Sequence, residues 1–244
     1  MRKVDVCLTP ELLHLYEVER RVVVIVDILR ATSCMTVAIA NGVEKIIPVA
    51  KLEECLALKE NGCIGAAERD GKMPEGFDLG NSPLAYLNNA YAGKTIAMTT
   101  TNGTQAIAKS KAAEEVIIGS FLNKSAVVNY LISQPNDVLI VCAGWKGKVN
   151  LEDTLFAGAV ADGLKEHFEI ENDSVIASAT LYNHAKKDML TYLSSCSHVK
   201  RLKNLNIQKD IEFCLKEDQY NVIPVLREGA LVAMEKMELS KVVE

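Results

Sequence analysis

Aromatic residues are scarce in this chain, at 5% of 244 residues, and Trp145 is the only tryptophan. No Lys/Arg-rich stripe accompanies them, and the formal net charge is -5. A general nucleic-acid binder needs a basic face, so that class is set aside. No apolar run approaches the roughly 18 residues that a membrane span requires. The chain opens without a signal-like segment, and the expectation is a cytoplasmic protein with no membrane partner. Seven cysteines form no C-x-x-C pair and no zinc-like grouping with the four histidines, so they read as reduced core thiols.

Several phosphate-handling motifs are also missing. There is no G-x-x-x-x-G-K-[ST] loop, no G-x-G-x-x-G, no G-x-S-x-G and no H-E-x-x-H. Asp27 has Leu29 two residues on, so the D-x-D signature of haloacid-dehalogenase-type phosphatases is absent. Cys63 and Arg69 have the C-x-x-x-x-x-R spacing of cysteine-dependent phosphatases. Yet no histidine precedes the cysteine, Asp70 follows the arginine, and Glu68 would repel phosphate. Cys142 is a second thiol candidate, though a strand-end core thiol is the simpler reading.

What is present is a recurring strand, loop and helix. The run Val22-Val23-Val24-Ile25-Val26 is continuous and β-branched, as a buried central strand is. Further strands are expected at Val4–Leu8, Lys45–Val49, Cys63–Ala67, Thr95–Met98, Val116–Ile118 and Val138–Cys142. Helices are expected after Thr9-Pro10, over Thr32–Asn41, Leu52–Asn61 and Leu151–Phe168. Asp173–Leu205 reads as one strand followed by helices, and Asn221–Val225 as a late strand whose Pro224 suits an edge. No linker or repeat divides the chain, so residues 1–244 read as one unit with an α/β fold and a largely parallel sheet.

In open parallel sheets ligands gather beyond the carboxyl ends of strands. The residues there are Asp27 to Ser33, Glu68-Arg69, Thr99 to Thr104 and Cys142-Ala143-Gly144, with Glu152-Asp153 opening the long helix. Carboxylates gathered in one crevice repel each other unless a cation lies between them, and hard oxygen donors favour magnesium. The candidate ligands are Asp27, Glu68, Glu152 and Asp153. Arg30 and Arg69 would grip phosphoryl oxygens in a fork, while Thr101, Asn102, Gly103, Thr104 and Gly144 would present donors to an anion. His198, in the polar segment Ser194 to His198, is a candidate general acid for the leaving alkoxide. Each feature alone has a structural explanation: Asp27 as a helix cap, Arg30 as an ion pair, Asn102-Gly103 as a turn.

The ordered set resembles the 2-phosphosulfolactate phosphatases, the ComB family. The matching pieces are Val26 to Ser33, Glu68-Arg69, Gly76-Phe77-Asp78-Leu79-Gly80-Asn81-Ser82-Pro83, Thr100 to Thr104, Gly119-Ser120, Cys142 to Gly144 and Glu152-Asp153, with His198, Asp210 and Pro224 in the tail. The resemblance runs along nearly the whole chain. It implies a three-layer α/β/α fold with a parallel or mixed sheet, a homodimer, and magnesium-dependent hydrolysis of 2-phosphosulfolactate to sulfolactate and phosphate, a step of coenzyme M biosynthesis. The chain departs from the family pattern at Val199 and Asn206, where glycines are expected, and in having only Gly71 after Glu68-Arg69. Two alternatives stay open: a phosphatase for another small 2-phospho acid, and a non-catalytic anion-binding protein on the same scaffold.

Overall fold

The apolar run at residues 22–26 alternates between two cores. Val22, Val24 and Val26 enter one, and Val23 and Ile25 enter the other. A strand buried on both faces must lie inside a sheet with helices on each side, and the computed structural model shows that arrangement. It describes residues 1–170, 172–203, 205 and 207–235; Asn206 lies outside them.

The strands are β1 (Arg2–Cys7), β2 (Arg21–Val26), β3 (Lys45–Pro48), β4 (Ile64–Ala67), β5 (Thr95–Thr99), β6 (Glu115–Gly119), β7 (Asp137–Cys142), β8 (Phe168–Glu169), β9 (Pro224–Arg227) and β10 (Ala230–Ala233). The helices are α1 (Ala31–Ala40), α2 (Leu52–Glu60), α3 (Gly103–Lys109), α4 (Lys124–Ser133), α5 (Leu151–Leu164), α6 (Asp173–Ala185), α7 (Met189–Leu193), α8 (Ser197–Lys203) and α9 (Gln208–Cys214). Pro10–Leu15 winds as a 3-10 helix. Among the described residues no helix is long and apolar enough to cross a membrane.

One sheet runs β4-β5-β3-β10-β9-β6-β2-β7-β1-β8. Strands β4, β5 and β3 are mutually parallel, as are β6, β2, β7, β1 and β8. The β9–β10 hairpin joins the two blocks through three antiparallel pairings. Three reversals make the blocks run in opposite directions. Helices α4, α5 and α6 cover one face of the larger block, α2 covers the same side of the smaller one, and α1 and α3 lie on the other side. The fold is therefore a three-layer α/β/α arrangement around a mixed sheet.

A flat sheet of this order could not assemble one site from both blocks. Asp27 follows β2 and Gly103 lies four residues after Thr99, yet a methyl group built on Gly103 would stand 2.9 Å from Asp27 Oδ2. Five strand spacings separate β5 from β2, about 24 Å if flat, while four residues reach at most about 14 Å. The sheet must curl, and α1 fills its concave side. Nine of the ten residues of α1 are buried, including Thr32, Ser33 and Thr36, as expected for a helix enclosed all round.

Two sequence expectations change in the tail. Asp173–Leu205 contains no strand among its described residues; the short strand lies before it, at Phe168–Glu169, where a single helix over Leu151–Phe168 was expected. Pro224 is not on an edge, because β9 lies between β10 and β6. It is tolerated as the first residue of the strand, where the missing N–H removes no ladder bond. The turn into β10 uses Glu228 and Gly229, both with positive φ (50° and 82°). That is the two-residue hairpin geometry, and a Glu-Gly pair signals it weakly.

Candidate active site

Asp27 directly follows β2 and stands at the N-terminus of α1, where a carboxylate is favoured by the helix dipole. Its backbone N–H donates to Thr32 Oγ1 at 3.0 Å, and Ala31 N–H approaches Oδ1 at 3.4 Å. No hydrogen bond reaches Oδ2 among the described residues. Burial pushes the Asp27 pKa up to about 6, with His198 pulling it down and Glu68 and Glu152 raising it further.

Glu68 directly follows β4. It accepts hydrogen bonds from Gly71 N, from Thr101 N at 3.2 Å and from Thr101 Oγ1 at 3.3 Å. The turn that supplies Gly71 is a hairpin turn with Asp70 and Gly71 at positive φ, as the Asp-Gly pair favours. Gly71 has φ +86°, a conformation that side-chain-bearing residues rarely adopt, which accounts for the glycine there. Thr101 thus orients a carboxylate, rather than standing free for substrate.

Asp153 and Glu152 open α5 but divide the work. Asp153 accepts from Ile28 N at 2.9 Å through one oxygen and from Gly144 N at 3.0 Å through the other. It clasps the loop after β2 to the loop after β7, and Gly144 serves that clasp. Burial, Glu152 and Asp27 hold its pKa well above the usual carboxylate range. Glu152 Oε1 bonds His198 Nδ1, and its Oε2 is buried with no partner. Asn150 Nδ2 lies 3.1 Å from the same ring nitrogen. A carboxylate accepts only, so His198 Nδ1–H donates to Glu152, and the imidazole lines the cleft.

The cleft itself is lined by Asp27, Arg30, Glu68, Asn102, His198 and Arg201, with Asn81 and Trp145 beside them. Arg30 is buried and ion-paired with Asp210, whose other oxygen accepts from Ser82 at 3.0 Å. Asn102 Oδ1 accepts from Lys146 N at 3.3 Å. Gly103 is needed for close approach: a Cβ there would lie 2.6 Å from Ala31 Cβ.

Several expected site residues lie elsewhere. Arg69 does not line the cleft; it donates to Glu68 O at 2.7 Å, Thr99 Oγ1 at 2.9 Å and Ala50 O at 3.3 Å. Its strand direction carries it outward, so it ties β4 to its neighbours. Thr104 is buried and trades hydrogen bonds with Thr100, locking the turn into α3. The C-x-x-x-x-x-R spacing does not form a phosphate loop, because β4 runs between Cys63 and Arg69 and separates them by roughly 17 Å or more at strand rise. Cys142 is fully buried and its thiol pKa is raised well above the ordinary value by that burial, which suits a packing role.

Arg201, Trp145 and Asn81 were not singled out as functional by sequence. His198, Arg201 and Leu202 all line the cleft. They are three and four residues apart on α8, hence on one face. That spacing from His198 was the available signal, but Lys200-Arg201 reads first as solvated charge. Asn81 stood inside a matching piece with no role attached; its Oδ1 is buried and unpartnered.

The donor chemistry fits a hard cation. Asp27 and Glu68 line the cleft, and the Asp27 carboxylate is strained by burial and by neighbouring negative charge. Among the described residues no three His, Cys, Asp or Glu side chains form a preassembled metal cluster. Magnesium asks for less, since it keeps several waters and binds through one or two carboxylates and substrate phosphate oxygens.

Residues 7–229 match the family model described as 2-phosphosulpholactate phosphatase. A "Probable 2-phosphosulfolactate phosphatase" of Thermotoga maritima is 44% identical over 218 residues, covering 89% of this chain and 94% of the relative. Proteins of the same name from Caldanaerobacter subterraneus and Microcystis aeruginosa are 41% and 38% identical, covering 87% and 92% of this chain and 90% and 96% of their own lengths. With residues 7–229 of its 244 matched, the chain belongs to the 2-phosphosulpholactate phosphatase family.

Proposed function

We propose that the chain hydrolyses 2-phosphosulfolactate to 3-sulfolactate and phosphate, with magnesium held by Asp27 and Glu68. The observation that carries this reading is the mixed charge of the cleft. In a protein of net charge -5, Arg30 and His198 face the same crevice as Asp27 and Glu68. A pure anion binder gains nothing from carboxylates beside its ligand, whereas phosphoryl transfer needs both signs.

Bound magnesium would supply charge compensation for the phosphoryl oxygens. Arg30 is held rigid by Asp210 and can hold one phosphoryl face without reorganising. Either water attacks the phosphorus directly, or the Asp27 carboxylate attacks and water then cleaves the aspartyl phosphate to free phosphate and Asp27. The phosphorus–oxygen bond to the organic part breaks, and His198 Nε2 passes a proton to the departing alkoxide while Nδ1 stays on Glu152. Asp153 keeps Ile28 and Gly144 in place and so fixes the loop that carries Asp27. The homodimeric state, the cytoplasmic setting and the link to coenzyme M biosynthesis, all implied by family resemblance, belong to the same proposal.

The test is phosphate release from 2-phosphosulfolactate, phospholactate and phosphoglycolate, with magnesium and with excess chelator. Magnesium-dependent release that favours the sulfonated ester is expected. Release without that preference moves the substrate to another 2-phospho acid. No release from any ester by folded, metal-supplied protein refutes the hydrolase.

A further inference from the structure

Three arginines come near the cleft, and they differ in what their guanidinium groups already hold. Arg30 is paired with Asp210, and Arg69 is spent on three protein oxygens. Arg201 makes no hydrogen bond or ion pair among the described residues. Its guanidinium lies over the Trp145 ring, 3.7 Å from the centroid, and its Nε is buried without a partner.

Stacking of this kind fixes the plane of a guanidinium while leaving its edge open. The Nε–H and one Nη–H then form a two-pronged donor that matches a carboxylate or sulfonate. A buried donor with no acceptor is costly in a folded protein, so an empty one lining a cleft calls for an acceptor from outside.

The surroundings of Arg201 overlap those of Asp27 and extend to the Asp70 turn. Asp27 responds to His198, Glu68 and Glu152. Arg201 is attracted by Glu68 and Glu152 as well, and also by Asp70, which is fully exposed. None of these acids forms an ion pair with it. Trp145 belongs to the loop after β7, and that loop meets the Asp70 turn through Lys146, whose Nζ lies 2.8 Å from Asp70. The stacked arginine therefore borders both the cleft that holds Asp27 and the two loops joined at Asp70.

We propose that Arg201, braced on Trp145, binds the second anionic group of the substrate, a carboxylate or sulfonate, and sets the preference for esters that carry one. The proposal rests on the hydrolase reading for its substrate class, and its test is a binding measurement that needs no turnover.

Trp145 is the only tryptophan, so selectively excited tryptophan fluorescence reports on this one ring. Titration of wild type with 3-sulfolactate should give a saturable fluorescence change. Arg201→Met should weaken that binding at least tenfold, with inorganic phosphate binding kept within twofold. In turnover the same variant should raise KM for 2-phosphosulfolactate at least tenfold and leave kcat within threefold. Arg201→Lys keeps the charge without the fork and should weaken sulfolactate at least threefold, which decides the matter if Arg201→Met does not fold. Unchanged sulfolactate binding in either variant, an equal loss for phosphate, or no sulfolactate binding by wild type would overturn the proposal. Arg201-dependent binding in a protein that releases no phosphate would uphold it and sink the hydrolase reading instead.

Discussion

Gly103→Ala separates the packing of the site from its chemistry. The added methyl would lie 2.6 Å from Ala31 Cβ, 2.9 Å from Asp27 Oδ2 and 3.3 Å from Thr100 Oγ1. Carbon atoms in contact normally stay about 3.5–4.0 Å apart, so the Ala31 contact is about 1 Å too short and backbone must shift. Overpacking of that size costs about 1–3 kcal/mol, offset by up to about 1 kcal/mol from alanine's better helix propensity in α3. The net loss, up to about 3 kcal/mol, lowers Tm by up to roughly 12 °C for a chain of this length. Activity should fall further, on the order of 100-fold, because the methyl also displaces the Asp27 carboxylate. Adding Ala31→Gly removes the carbon contact but leaves the one to Asp27. In that background the thermal penalty of Gly103→Ala should shrink, while kcat/KM stays low. Thermal melts and steady-state phosphate release on the four proteins make the test. Wild-type turnover in Gly103→Ala, or recovery of turnover in the double variant, would refute the placement of Asp27 in the reacting centre.

Two further perturbations follow from the charges. The folded-state pKa of Asp27, about 6, lies above its ordinary 3.8, so the folded chain binds the extra proton. In chelator this group's effect on stability should therefore worsen as pH rises from about 4 through 6, by on the order of 3 kcal/mol. Asp27→Asn should abolish that slope and be the more stable protein at pH 7.5. Magnesium at roughly 100 times its Kd should stabilise wild type by about 2.7 kcal/mol and Asp27→Asn much less; equal melting shifts in both would remove Asp27 from the metal site. Arg30→Ala should lower turnover at least tenfold and, by leaving Asp210 buried with only Ser82, destabilise the fold by about 3–5 kcal/mol. Near wild-type kinetics in a folded Arg30→Ala would show that this arginine is structural.

How far the site could be read from sequence depends on whether a residue's partners lie close along the chain. Asp27 and Glu68 were legible because each directly follows a strand, and strand ends follow from local hydrophobic pattern. His198 was legible as a polar position in the tail. Arg69 misled because its neighbour Glu68 does face the cleft; alternation of side chains at a strand end sends adjacent residues opposite ways. Thr104 misled because a hydroxyl beside a turn serves substrate or the turn equally well in one dimension. Arg201 escaped because a basic residue on a short helix carries no mark of being stacked.

Sequence by itself determined the α/β alternation, the buried β2, the strand-end positions of Asp27 and Glu68, and the family. Those depend on periodicity and order, which are properties of the chain. Tertiary structure alone decided that the two parallel blocks oppose each other, and that the sheet curls around α1 until Gly103 touches Asp27. It also assigned the arginines, pairing Arg30 with Asp210 and leaving Arg201 open over Trp145. Contacts between residues distant in sequence form only when buried surfaces close on one another, and no local pattern encodes which cation is left without an anion.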